Sequence, residues 1–419
     1  MKRFPTLVAL ALAAGLAGCI EDQTATDLKP DLSNNGGVFQ RYVALGTSIS
    51  AGLQSGGIND STQREAFPVL VAEAANASFF YPKLNGRGCP APIVNNTTSP
   101  VTRVGDQPPT TPCELRAVPL PPRLNSLAVP GMWVADFFSN TASPTNTYEQ
   151  LQLFFLGAQV PVQALMEAQP TFVTLEMGSN EVLGALLVDR DPGSTDSIFP
   201  PAQFELFYNR LADSLDKLGA KVVATTVPDV TVAPYASAGQ TWWCLKTGAC
   251  PGVPLGPFPT NFQVSNTCAP RTPVTPTAKG DSILVPWTKG IPRLVTALRN
   301  PTVTVTLDCS QDSLVVVPEE FAALRNAQVA YNGIIIGVAA ERGYGIVDFA
   351  AMLQGIRAQG LVPPFPDLSA ALAGGPVKFG PYFSLDGFHP AAAAHRLVAD
   401  SVIAVSNRLF GTTVPQVGP

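Results

Sequence analysis

Short apolar runs bounded by glycine or proline alternate with longer helical stretches along this chain. The runs are residues 42–45 before Gly46, 171–176 before Gly178, 221–227 before Pro228, and 344–349 after Gly343. Such runs read as buried strands. Residues 64–75, 149–168, 202–218, 319–342 and 391–409 carry helical patterns, the last starting at Pro390. Strands that alternate with helices predict an α/β sheet with mostly parallel strands. Ligands of such sheets bind beyond the carboxyl ends of the strands, so residues just past each run are the ones to inspect for chemistry.

The 419 residues suffice for one α/β domain with insertions. Proline supplies 41 of them, about twice the usual share. Many gather in residues 80–122 and 235–315, which read as long irregular excursions. Charged residues are only 14% and the net charge is −5, with no basic run, so nucleic acid is not an expected partner. Two histidines, His389 and His395, exclude a His-rich metal site. The expected chemistry needs no cofactor and no metal.

The N-terminus reads as an export signal. Lys2 and Arg3 precede a short apolar run that ends in Leu16-Ala17-Gly18-Cys19. That ending resembles a bacterial lipobox, which implies a lipidated Cys19, a membrane anchor made of acyl chains, and a place in the cell envelope. Residue 20 is Ile, not Asp, which by the same resemblance favours the outer membrane. Six cysteines then remain, and an even number in an exported chain suggests disulfides. Proximity pairs Cys89 with Cys113 and Cys244 with Cys250, leaving Cys268 with Cys309.

Two segments past strand ends and one before the last helix carry reactive groups: Gly46-Thr47-Ser48-Ile49-Ser50, Gly178-Ser179-Asn180-Glu181, and Asp386-Gly387-Phe388-His389-Pro390. A serine hydroxyl needs a base to become a nucleophile, and His389 is the candidate. Asp386, three residues earlier, can orient its ring. The Ser48 N–H and the Asn180 amide are candidate oxyanion donors. Gly131, in Ala128-Val129-Pro130-Gly131, offers a third N–H.

These blocks, in this order, resemble the GDSL/SGNH hydrolase family over roughly residues 40–408 apart from the insertions. The resemblance implies a three-layer α/β/α sandwich with a mostly parallel, flavodoxin-like sheet. It implies a serine ester hydrolase acting on a small-molecule or lipid ester, with Ser48, Asp386 and His389 catalytic and Ser48, Gly131 and Asn180 forming the oxyanion hole. The organisation expected is a signal peptide at 1–18, lipidated Cys19 and tether at 19–38, the hydrolase domain at 39–410, and a tail at 411–419. Two positions depart from the family: Thr47 stands where Asp is usual, and Glu181 where Asp follows the asparagine. Thr47 is expected to bond a local backbone group, and Glu181 to keep the charge on a longer arm. Two other functions fit the same blocks: a carbohydrate O-acetyl esterase, and a ligand-binding lipoprotein on an inactive hydrolase fold.

Plainer roles compete for each residue. Ser48 could serve a turn or cap; Ser50 and Ser179 compete with it as nucleophile, and Ser50, further into the loop, reads as a cap or support. Asn180 could cap a helix, and Gly131 could simply turn the chain. His395 reads as a packing or surface histidine, and Asp348 as a capping or anchoring acid. Trp242 and Trp243 read as packing of a small core, with an acyl or sugar site as the alternative.

Overall fold

The computed structural model describes residues 35–98, 100–106, 116–118, 121, 123–140, 147–157, 159–273 and 275–418. They belong to one compact unit, Ser33–Pro419. Cys19 and Cys113 lie outside the described residues, as do the signal and most of the tether.

Four parallel strands form the central sheet: β1 (Tyr42–Gly46), β2 (Phe172–Glu176), β3 (Lys221–Thr225) and β4 (Gly345–Val347). They lie side by side in that order, with Tyr42 opposite Phe172, Phe172 opposite Lys221, and Val223 opposite Gly345. On the outer side of β1 the chain at 125–129 runs parallel to it. Ala44 N–H donates to Asn125 O (2.8 Å), Leu127 N–H to Ala44 O (2.9 Å) and Val129 N–H to Gly46 O (3.1 Å). This segment is second in chain order, so the sheet reads 2-1-3-4-5, a doubly wound order whose switch point falls between β1 and β2.

The strands are buried on both faces, which explains their lack of polar alternation. Successive side chains point to opposite faces. Val43, Leu45, Val173, Leu175, Val222 and Ala224 enter one core cluster. Tyr42, Phe172 and Val223 enter another. The helices that enter the argument are α1 (Ser48–Ala51), α2 (Phe67–Ala74), α3 (Asn180–Leu186), α4 (Pro201–Asp216), α5 (Pro318–Arg342), α6 (Phe349–Ala358) and α7 (Ala392–Phe410). α4 and α5 contribute to the first cluster through Phe204, Tyr208, Leu324, Tyr331 and Ile335. α2 and α7 contribute to the second through Phe67, Val71, Val398, Val402 and Ile403. α7 buries His395, Val398, Ala399, Val402 and Ile403, a stripe at helical spacing.

Two sequence expectations change. Residues 149–168 are two helices, Thr147–Leu156 and Pro161–Ala168. Gly157 leaves the first at φ 63°, and Pro161 starts the second because its missing N–H costs nothing there. The 235–315 excursion is far more ordered than its prolines suggest. It contains helices Gly239–Thr247 and Trp287–Arg299, an antiparallel pair (Ala236–Ala238 with Leu284–Pro286) and a parallel pair (Phe262–Val264 with Val305–Leu307). It has its own core around Trp242, Phe262, Val285, Ile291 and Leu294, shared with Leu368, Val377 and Phe379 from the chain before Asp386. Cys244–Cys250, expected from proximity, and Cys268–Cys309, expected as the remaining pair, are both bonded. Cys89 is also disulfide-bonded.

Candidate active site

The switch point places the first two reactive segments side by side. Ser48 opens α1 directly after β1, and Asn180 opens α3 just beyond β2. Gly178 makes the connection at φ 113°, where an added Cβ would lie 2.7 Å from Val227 Cγ2, so a larger residue would strain the turn. The 125–129 segment carries Gly131 to the same rim, at φ 80°. The 384–389 loop then closes over them. Gly56 N–H donates to Asp386 Oδ2 (2.6 Å) and Ser55 N–H to Ser384 Oγ (2.7 Å).

Asp386 is gripped on both oxygens. Oδ1 accepts from the N–H groups of His389 (2.9 Å) and Phe388 (3.1 Å) and from Ser384 Oγ (3.2 Å). Oδ2 faces His389 Nδ1 at 2.8 Å. Trp287 of the excursion donates its indole N–H to the Asp386 carbonyl at 3.2 Å. Burial pushes the Asp386 carboxyl up, but facing His389 and the donated N–H groups outweigh it and hold the carboxyl below its usual range. The carboxylate therefore fixes the imidazole with Nδ1 toward itself and leaves Nε2 for the cavity.

A cavity of about 690 Å³ is lined by Ser48, Gly131, Asn180 and His389 together. A second, tighter cavity of about 110 Å³ shares Ser48, Asn180 and His389. Ser48 and His389 are 6% and 7% exposed: nearly dry, yet both border open space. The Ser48 hydroxyl makes no hydrogen bond to His389 in this structure. Neither the Ser48 nor the Gly131 N–H donates to a described group, so both donors remain available to a ligand.

Asn180 does not cap its helix. Ser179 holds the N-cap position without a side-chain bond, and the Asn180 amide donates to Met132 O at 2.9 Å. Glu181 holds the same loop two residues on, its Oε1 accepting the Val134 N–H at 2.6 Å. Two adjacent residues of α3 thus hold the 131–134 loop in register with the Asn180 amide. Glu181 does not keep its charge. Burial pushes its pKa up to about 8 despite the Val134 bond, and Oε2 has no partner in the described structure.

Thr47 also differs from expectation. Its hydroxyl reaches Glu176 Oε1 (2.9 Å), not a local backbone group, and its N–H donates to Glu176 Oε2 (2.9 Å). Ser50 adds a hydroxyl bond to the same carboxylate at 3.1 Å. Glu176, 1% exposed, thus pins the turn that carries Ser48 from the end of β2. The sequence reading overlooked it, and its signal was an acid closing an otherwise apolar strand. The remaining candidates serve structure. Asp348 caps α6 by accepting the Ala351 N–H (3.0 Å). His395 is fully buried, accepts the Phe67 N–H at Nδ1 (3.3 Å), and is pushed down to about 3 by burial. Trp242 packs in the excursion core and Trp243 bonds Asn266; neither lines the two cavities. Asp191, Asp312 and Glu320 bring one carboxylate oxygen each within 4.8 Å of one another, outside the lining of either cavity.

No family model and no curated protein matches the chain. Among solved structures it is similar to TesA, at 13% identity and TM-score 0.34, over 88% of this chain and 98% of that one. It is similar to the psychrotrophic esterase EstA from Pseudoalteromonas sp., at 11% identity and TM-score 0.35, over 88% and 98%. It is also similar to phospholipase A1 from Streptomyces albidoflavus NA297, at 15% identity and TM-score 0.35, over 88% and 98%. TM-scores of this size carry no inference about chemistry. Among the described residues, no helix is long and apolar enough to cross a membrane.

Proposed function

We propose that this protein is a serine ester hydrolase of the GDSL/SGNH type, with helices on both sheet faces forming a three-layer α/β/α sandwich. One observation carries the reading: an Asp386–His389 pair, bonded at 2.8 Å, opens onto the cavity that Ser48, Gly131 and Asn180 also line. In this reading Ser48 Oγ attacks the acyl carbonyl while His389 Nε2 takes its proton. Asp386 holds the ring and stabilises the imidazolium as it forms. The Ser48 and Gly131 N–H groups and the Asn180 amide receive the oxyanion, each worth on the order of 10²–10³ in rate. His389 then protonates the leaving alcohol and activates the water that releases the acid. The Ser48–His389 hydrogen bond is expected to form when substrate binds. We further propose export, lipidation at Cys19 and residence at the outer membrane.

A fluorophosphonate probe and a p-nitrophenyl ester panel test the chemistry. Wild type should label and turn over, and Ser48→Ala and His389→Ala should do neither at a comparable rate. Labelling of Ser48→Ala equal to wild type, or full activity in His389→Ala, would refute the assignment. Cys19→Ser should move the protein from the detergent phase to the aqueous phase; unchanged partitioning would refute the anchor.

A further inference from the structure

The two cavities beside Ser48 are unlike. Ser48, Asn180, Leu183, Phe388 and His389 border both, so the hydroxyl stands at their junction. The tighter one is walled by apolar side chains of α6 and α7, among them Phe349, Met352, Leu353 and Leu397, and by Ala233. The Asp229 carboxylate also borders it but is already engaged. Its Oδ1 takes the N–H and hydroxyl of Thr231 at 3.0 and 2.6 Å, and its Oδ2 pairs with Arg325 Nε at 3.3 Å. Apart from Asp229 and Tyr382, a ligand in this space meets polar residues only around Ser48, Ser179, Asn180 and His389. The wider cavity is bordered by Leu53, Val129, Met132 and Leu187 and also by Trp133, Asp136 and Gln152; Asp136 Oδ2 accepts the Trp133 N–H at 2.9 Å and the Gln152 amide donates to Ser139 O at 2.8 Å.

We propose that the tight cavity is an acyl slot for an unbranched aliphatic chain longer than acetyl. The wide cavity, several times roomier, takes the alcohol part of the ester. This rests on Ser48 being the nucleophile. A bond forms between Ser48 Oγ and the acyl carbon, and the bond from that carbon to the alcohol oxygen breaks. The serine proton passes through His389 to that oxygen, so the alcohol leaves by the wide side while the chain stays in the slot. Water then adds, and the carboxylic acid departs.

Chain length reads the slot. Each methylene buried there should raise kcat/KM about fourfold until the slot is full. Two series separate the sides: p-nitrophenyl esters from acetate to palmitate, and acetate esters of glycerol and of hexanol. Ala233→Phe should lower the hexanoate-to-acetate ratio at least tenfold, and Met352→Ala should lengthen the best chain. Neither should move the ratio of glyceryl to hexyl acetate. Ser48 labelling by a fluorophosphonate shows that each variant is folded, and Met352→Ala decides the matter if Ala233→Phe fails to fold. Variants that shift the alcohol ratio instead, or shift neither, overturn the slot assignment alone when Ser48→Ala still abolishes turnover. A wild type that hydrolyses no ester in either series overturns the underlying function and the slot with it.

Discussion

Glu181 should make the protein less stable as pH rises through neutrality, and Glu181→Gln should remove that loss. The side chain is fully buried, Oε1 is occupied by the Val134 N–H at 2.6 Å, and Oε2 has no described partner. Its pKa rises from 4.5 to about 8, first because of burial. The unfolded chain releases this proton near its ordinary pKa, while the folded chain keeps it until about pH 8. Between those values the native state binds more protons, so stability falls with rising pH. At about 1.4 kcal/mol per pH unit, the rise corresponds to roughly 5 kcal/mol over the whole window. Gln keeps the acceptor for Val134 and does not titrate. Urea unfolding of wild type and Glu181→Gln at pH 5 to 8.5 isolates the effect, because other groups cancel in the difference. The stability difference should shift by several kcal/mol in favour of Gln as pH rises. Curves that stay parallel within about 1 kcal/mol would show that Glu181 titrates like a solvated carboxyl, and the buried neutral acid would be wrong.

Asp386→Asn should preserve the fold but lower kcat by about 10⁴, since an amide facing His389 favours the wrong tautomer; a loss below tenfold on the ester panel would remove Asp386 from its orienting role. Thr47→Val should lower stability by about 1–3 kcal/mol, because the Glu176 carboxylate loses a buried hydroxyl donor; an unchanged melting temperature would contradict that contact. Opening Cys268–Cys309, whose partners are 41 residues apart, should cost about 4 kcal/mol by chain entropy. Denaturant titration of the double serine variant checks the size, and no shift in midpoint would refute the staple.

The strand positions were readable because both-face burial forces apolar runs, and α7 because its buried stripe is regular. Asp386 and His389 were readable as a pair because three residues of turn bring them together locally. Glu176 was not, since its partners Thr47 and Ser50 are more than a hundred residues earlier and only the β1–β2 pairing joins them. The neutral state of Glu181 was equally hidden: a glutamate in the first turn of a helix looks solvated until tertiary packing seals it. The excursion at 235–315 misled for a different reason. Its strands are three residues long and its turns proline-rich, so periodicity had no length over which to register.

The contact between Gly56 and Asp386 spans 330 residues. In the proposed reading, the turn that carries the nucleophile is therefore synthesised more than three hundred residues ahead of its base. A growing chain, or one cut short before the last loop, carries Ser48 on the rim with nothing to take its proton. Under the proposed mechanism, hydrolysis would therefore wait until the 384–389 loop has met the Ser55–Gly56 turn.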